Sequence, residues 1–284
     1  MERIKEALEK ARQERLAGGG LVAGRPTATP PGQIVYSQTR TVEIARALLR
    51  ENRVVAGLEP GGLADGYIDA YKILRTQVLQ RLGQNGWNSL AVTSPGAQEG
   101  KTLTAVNLAI SLAMEVNYTV LLVDANLRHP SVHKLFGLEP EYGLSDYLTG
   151  AVPIEQILLH PADIGRFVIL PGGKPLINSA EMLNSPKMTQ LVEEFKTRYP
   201  SRIVIFDLAP LLSAADALAF APYVDAALLV VEEGATQDEE LDRAAALLKD
   251  TQLIGTVLNK AQRAMDEEDA PHKSWLRRLF AGST

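Results

Sequence analysis

The sequence predicts an α/β protein, a doubly wound, mostly parallel sheet with helices on both faces. Three observations lead there. Short, near-continuous apolar runs alternate with stretches of helical period; two of those runs end in an aspartate; and a glycine-bearing loop ending in Gly100-Lys101-Thr102 joins an apolar run to a helix. Apolar runs linked by crossover helices make a parallel sheet that is covered on both faces.

The elements follow in order. Strands are expected at Ser89–Thr93, Val120–Asp124, Phe167–Leu170, Ile203–Asp207, Ala226–Val231 and Leu253–Leu258. Between them the apolar spacing predicts helices at Thr102–Glu115, Pro186–Tyr199, Ala214–Ala221 and Gln237–Leu248. A helix at Ala64–Leu82 opens the core, and a shorter one at Val42–Glu51 precedes it across a glycine-rich gap near Gly61 and Gly62.

The segment Leu90 to Ala109, LAVTSPGAQEGKTLTAVNLA, has the shape of a phosphate-binding loop between strand and helix. Backbone N–H groups of such a loop and the positive end of the helix wrap a polyphosphate, the lysine neutralises it, and the threonine hydroxyl reaches Mg2+. The strict pattern is broken at its first glycine, where Pro95 stands with Gly96 next to it. Two strand-ending acids support the loop: Asp124 in YTVLLVDANLR and Asp207 in RIVIFDLAP. In an open parallel sheet the ligand lies outside the carboxyl ends of the strands, so both acids would face the phosphates. Mg2+ takes a few hard oxygens and keeps water for the rest, and Thr102, Asp124 and Asp207 offer that chemistry. For any one aspartate, beginning a loop or capping a helix is an equal reading. Three signals in the order loop, acid, acid make the metal-nucleotide reading the better one.

Composition narrows the function. The 284 residues are 46% hydrophobic and 22% charged, enough for one sizeable core plus appendages. Zero cysteines exclude disulfides, thiol nucleophiles and thiolate metal sites. His129, His133, His160 and His272 are scattered, and His129 and His133, four apart but separated by proline, are read as surface residues rather than as a metal site. A net charge of −5 gives no general pull toward nucleic acid. With no apolar run of about 18 residues and no signal-peptide pattern, the expectation is a chain that neither spans a membrane nor is secreted.

Four parts are expected: an amphipathic helix over 1–17, a flexible linker with a short helix over 18–63, the nucleotide-binding domain over 64–262 and a charged tail over 263–284. The stripe Ile4, Ala7, Leu8, Ala11 and Leu16 on the first helix either docks on a partner or packs on its own domain. The tail is read as a solvated terminus, with a membrane-surface contact through Trp275, Phe280, Lys273, Arg277 and Arg278 as the alternative.

From Asp65 to Ala261 the chain resembles the bacterial tyrosine kinases of capsule and exopolysaccharide assembly, relatives of the partition and division-site-positioning P-loop ATPases. The motifs are DAYKILRTQVL, TSPGAQEGKTLTAVNLA, VLLVDANLRHPSVHKLFGL followed by GLSDYLTG, FDLAPLL, DALAFAPYVDAALLVVEEG and GTVLNKA. The resemblance implies ATP and Mg2+ as cofactors, with Lys101, Asp124 and Asp207 as catalytic residues and Thr102, Asp124 and Asp207 on the metal. It extends the nucleotide contacts to Gly96, Ala97, Gln98, Glu99, Gly100, Lys101, Thr102, Leu103, Arg128 and Asn259. Arg128 would stabilise transition-state charge or pair with an acid, the pairing being preferred. Asp69, Lys72 and Arg75 match the family's acid, base, base pattern for docking subunits into homo-oligomeric rings, and their spacing puts them along one side of a helix. An exposed face with local ion pairs is the competing reading. The implied partner is an inner-membrane polysaccharide co-polymerase or chain-length regulator met through its cytoplasmic tail, with no nucleic acid. The implied location is cytoplasmic, peripheral at the inner face of the membrane.

The chain departs from the family in three places. Asn126 stands where a second acid is usual, which removes a charge near the metal. Gln98 stands where many members have glycine, and is expected to need negative φ. No tyrosine follows Tyr223, so the usual C-terminal acceptor cluster is missing. Tyr67 and Tyr71 are read as helix packing residues rather than as acceptors. Three functions follow: a protein-tyrosine kinase transferring phosphate in line from Mg-ATP, with Asp124 or Asp207 taking the proton of a tyrosyl or a water; a nucleotide-held switch or scaffold for the chain-length regulator; and a partition-type positioning ATPase. The third is disfavoured because Pro95 to Glu99 lacks the early lysine of such proteins.

Overall fold

The computed structural model describes residues 39–58, 63–150, 152–199 and 201–261. The expected helix over 1–17, the tether that follows it and the charged tail over 263–284 lie outside those residues.

Among the described residues, eight strands form one sheet: β1 (Arg40–Val42), β2 (Ser89–Thr93), β3 (Thr119–Asp124), β4 (Leu159–Pro161), β5 (Phe167–Leu170), β6 (Arg202–Asp207), β7 (Ala226–Glu232) and β8 (Gln252–Asn259). Their order is β1-β4-β5-β3-β6-β2-β7-β8. The pair β4 and β5 is antiparallel and every other neighbouring pair is parallel. The helices are α1 (Arg46–Glu51), α2 (Leu63–Asn85), α3 (Lys101–Ala113), α4 (Val132–Leu135), α5 (Leu144–Thr149), α6 (Ser179–Leu183), α7 (Pro186–Thr197), α8 (Asp216–Phe220) and α9 (Asp238–Leu247).

The central strands are apolar without interruption because both their faces are covered. Successive side chains point to opposite faces. Thus Val120, Leu122, Ile203 and Ile205 join the cluster under α2 and α3, while Leu121, Val123, Val204 and Phe206 join the one under α5, α7 and α9. Burying one such side chain is worth about 1.5–3 kcal/mol, which makes these strands the rigid platform from which the site projects.

The sheet edge departs from expectation. Residues 40–42, the last of which is expected to start a helix, pair with Leu159–Pro161 as a strand, and the helix begins only at Arg46. Leu49, Val54 and Val55 are buried in the core under α3, so the chain from 40 to 58, assigned by sequence to the linker, packs on the sheet. The two outermost strands at this end of the sheet, RTV and LHP, have three residues each and carry no apolar run that a sequence pattern could register. Pairing with a neighbour overrides their weak local preference. The short helices α4, α5 and α6 likewise lie where the sequence suggests only connections.

Candidate functional site

Strand β2 ends at Thr93 and α3 begins at Lys101, so the seven-residue turn between them sits over the middle of the sheet. The turn is held from both sides. On the β6 side Leu211 N–H donates to Ser94 O (2.9 Å), Leu212 N–H to Pro95 O (3.1 Å), and Thr93 Oγ1 to Ala209 O (2.8 Å). On the β8 side the Glu99 carboxylate, 6% exposed, accepts from Gly96 N–H (3.0 Å) and from Thr236 Oγ1 (2.5 Å). Asn259 Nδ2 donates to Glu99 O (2.8 Å). Gly100 has φ +91°, and a Cβ there would fall 2.0 Å from Asn259 Nδ2, so the position needs glycine for conformation and for space.

Gln98 corrects an expectation. It adopts φ +66°, the left-handed region, rather than negative φ. A residue with a Cβ gives up about 1–2 kcal/mol there. The bracing of Gly96, Glu99 and Gly100 on either side fixes the turn and carries Gln98 with it.

The two acids meet because β3 and β6 are neighbours in parallel register, which sets Asp124 directly beside Asp207. Both are fully buried. Asp207 Oδ2 accepts from Thr102 Oγ1 (2.8 Å), and Lys101 Nζ lies 3.4 Å from the same hydroxyl. Asp124 Oδ2 accepts from Ser131 N–H (2.8 Å) and Val132 N–H (2.9 Å) at the start of α4. The remaining oxygen of each carboxylate, Asp124 Oδ1 and Asp207 Oδ1, has no hydrogen-bond partner among the described residues. Burial raises the pKa of Asp124, the charge of Asp207 adds to that, and the backbone N–H groups oppose it. Asp207 is also raised by burial, against the pull of Lys101 and Thr102. Two adjacent buried carboxylates with an unpartnered oxygen each, beside a threonine hydroxyl, form a hard-oxygen donor set of the kind Mg2+ takes.

Lys101, Thr102, Gly100, Leu103 and Gln98 line one cavity of about 380 Å3 together with Ser131, Lys134 and Leu135. Gly96, half-buried, and Ala97, exposed, are not part of that lining, and Asn259 stands behind Gly100. Arg128 is turned elsewhere: its Nη2 is 3.6 Å from the buried Asp216, and its side chain is 46% exposed. Asn126 is buried with Oδ1 unpartnered, alongside the acids in the loop that follows β3.

Sequence reasoning missed several contributors. The Ser131 and Val132 amides carry a signal in Pro130-Ser131, a helix start after a proline. Thr236 bears no local signal, since only β7 and β8 bring it to Glu99. Gly172, after β5, approaches so closely that a Cβ there would sit 3.2 Å from Asp124 Cγ. Of the three residues expected to dock subunits, Asp69 and Lys72 pair with each other at 2.8 Å on an exposed face. Arg75 is 18% exposed and engaged within the chain, donating to Ser111 O (3.1 Å) and pairing with Glu115 (3.0 Å).

No family model matches the chain. It is 33% identical over 220 residues to tyrosine-protein kinase YwqD of Bacillus subtilis (strain 168), covering 74% of this chain and 90% of that protein. The chain belongs to the bacterial tyrosine kinase family. Tyrosine-protein kinase etk of Escherichia coli (strain K12) is 30% identical over 198 residues, 69% of this chain but 27% of that protein, so the chain spans about a quarter of this longer relative. Among solved bacterial tyrosine kinases, the kinase domain of Escherichia coli ETK superposes with a TM-score of 0.65 at 27% identity, covering 82% of this chain and 92% of that one. The septum site-determining protein MinD from Pyrococcus horikoshii OT3, solved with Mg-ADP, shares the P-loop fold with a TM-score of 0.53 at 21% identity.

Proposed function

We propose that this protein is an ATP-dependent protein-tyrosine kinase that regulates exopolysaccharide or capsule polymerisation and export. The observation that carries the reading is the pair Asp124 and Asp207, side by side at the ends of β3 and β6, each with one buried oxygen left open beside Thr102 and Lys101. Kinship with YwqD and etk supplies the acceptor class.

Thr102, Asp124 and Asp207 would hold Mg2+, whose chemistry is to neutralise charge on the β- and γ-phosphates. The turn from Ala97 to Gly100 and the start of α3 would present N–H groups to those phosphates, and Lys101 would add a fixed positive charge. The acceptor hydroxyl attacks the γ-phosphorus in line as the bond to the ADP oxygen breaks. Asp124 or Asp207, at the strand ends beside Thr102, would take the hydroxyl proton. Arg128 stays with Asp216 and is a structural residue in this reading.

The proposal extends to a homo-oligomeric ring docked through the Asp69 and Lys72 face of α2, and to a peripheral position at the inner face of the membrane beside a polysaccharide co-polymerase. A second reading, a switch that holds ATP and governs the co-polymerase without phosphorylating tyrosine, is favoured by Asn126 in place of an acid. Incubation with Mg2+ and γ-labelled ATP, with and without the cytoplasmic part of the co-polymerase, separates them. Base-stable label on tyrosine that disappears in Lys101→Met supports the kinase. Bound or hydrolysed ATP with no labelled tyrosine overturns it in favour of the switch.

A further inference from the structure

Glu99 is a buried acid that phosphoryl transfer as described above does not use. Its neighbours Gln98 and Gly100 line the cavity of Lys101 and Thr102, whereas Glu99 is not part of that lining and is 6% exposed. Burying a charge is costly unless hydrogen bonds compensate it. Both oxygens are engaged here: Oε2 accepts from Gly96 N–H (3.0 Å) and Oε1 from Thr236 Oγ1 (2.5 Å). The first bond closes the loop on itself, and the second reaches 137 residues along the chain to the turn between β7 and α9.

That turn is itself closed around Thr236. The Thr236 hydroxyl accepts from Glu232 N–H (2.9 Å) while donating to Glu99, and Thr236 N–H donates to Glu232 O (3.2 Å). Glu233 N–H donates to Asn259 O (3.0 Å), and Asn259 Nδ2 returns to the loop at Glu99 O (2.8 Å). Lys260, at φ +57°, pairs with Glu232 at 2.7 Å. The phosphate loop and the β7–α9 turn are thus joined through the Thr236 hydroxyl and again through Asn259. The hydroxyl is the link that can be cut cleanly, because valine keeps the shape of threonine and lacks only that group.

We propose that Thr236 is a positioning residue for nucleotide binding, holding the phosphate loop in its binding conformation through Glu99. The inference rests on the ATP-binding part of the reading above and is independent of which hydroxyl accepts the phosphoryl group. The N–H groups of such a loop cradle phosphates only while they converge, and the Glu99 bonds keep the empty loop in that state. Without Thr236 Oγ1 the carboxylate keeps one of its two bonds, and a buried oxygen is left to find water. The loop then spends less time in the binding conformation, and apparent affinity falls in proportion to that population. Coupling of this kind is reciprocal, so bound nucleotide also steadies the β7–α9 turn.

The test measures, on the full chain with Mg2+, the Kd of ADP and of a non-hydrolysable ATP analogue by calorimetry, and hydrogen exchange over residues 232–237 with and without nucleotide. Thr236→Val is compared with Thr236→Ser, which keeps the hydroxyl, and with Lys101→Met as the control for the site. Both Kd values are expected to rise about tenfold in Thr236→Val and to return to wild type in Thr236→Ser. Nucleotide should slow exchange over 232–237 in wild type and Thr236→Ser but not in Thr236→Val. Thr236→Ala, smaller and open to water, carries the same expectation in direction should the valine prevent folding, which urea unfolding reports. Wild-type affinity in the folded Thr236 variants, or a loss that Thr236→Ser does not restore, overturns this proposal and leaves nucleotide binding standing. Wild-type protein that binds no nucleotide, or binds it no better than Lys101→Met, overturns both.

Discussion

The two halves of the site are finished to different degrees. On the phosphate-loop side the chain meets its own needs: Glu99 ties Gly96 to Thr236, Asn259 ties Glu99 to β8, and Leu211 and Leu212 hold Ser94 and Pro95. On the carboxylate side Asp124 Oδ1, Asp207 Oδ1 and Asn126 Oδ1 are buried with no hydrogen-bond partner among the described residues. A buried polar group without a hydrogen bond costs about 1–3 kcal/mol. The loop is therefore preorganised by the protein, whereas the acids are left for a ligand to complete.

The sharpest way to break that contrast is to remove the charge that links the halves. Lys101→Met is expected to lower single-turnover phosphoryl transfer by about a hundredfold or more, the scale of losing one fixed electrostatic donor. Melting temperature without nucleotide should fall as well, because the charge of Lys101 offsets that of the buried Asp207. Next comes the brace. Gly100→Ala is expected to destabilise by about 2–4 kcal/mol, from a strained φ and a displaced Asn259, as read by urea unfolding. A midpoint within error of wild type would show that the loop is not held as described.

Asp225 is the counter-example, a carboxylate at the opposite, amino end of the strands with every need met. It accepts from Asn88 N–H, Ser89 N–H, Ser89 Oγ and Lys196 Nζ. Burial alone would raise its pKa, but these donors outweigh it and the net shift is downward. A lowered folded pKa means that the stability is complete above the unfolded value, near 3.9. It is lost as pH falls through the lower folded value. Asp225→Asn should cost about 1–2 kcal/mol near pH 7 and flatten the stability profile below about pH 4. A penalty that persisted unchanged into that acid range would assign the cost to packing rather than to charge.

Asp124→Asn is expected to do the reverse. It removes one of two facing charges, so the nucleotide-free protein gains about 1 kcal/mol while stabilisation by Mg-ATP disappears. Differential scanning calorimetry with and without Mg-ATP reads both, and a lower melting temperature without ligand would contradict the incomplete-site view. Gln98→Gly should give the smallest change, a gain of at most about 1 kcal/mol from relief of the left-handed conformation, offset by the greater chain entropy of glycine.

Legibility follows the same division. Strands β2 and β5 lie where their apolar runs predict, and β3, β6, β7 and β8 differ from expectation by a residue at one or both ends. Gly100, Lys101, Thr102, Asp124 and Asp207 were all visible as a loop and two strand ends. What escaped was whatever lacks a local pattern: β1 and β4, the Thr236 hydroxyl, the approach of Gly172 to Asp124, and the sign of φ at Gln98. Arg75 looked like part of an outward row with Asp69 and Lys72, and helical spacing could not reveal that Glu115 draws it inward.

The sequence alone determined the parallel α/β core and marked the candidate phosphate loop and its two strand-end acids, because periodicity and strand-end chemistry are properties of contiguous residues. Only the tertiary structure decided that Asp124 and Asp207 lie side by side, since strand order is set by how the sheet assembles rather than by chain order. It alone decided that Glu99 is shared between Gly96 and Thr236, and that Gly172 abuts Asp124. Those contacts join residues far apart in the chain, and their energies exist only once burial has brought the groups together and removed the water that would otherwise satisfy them.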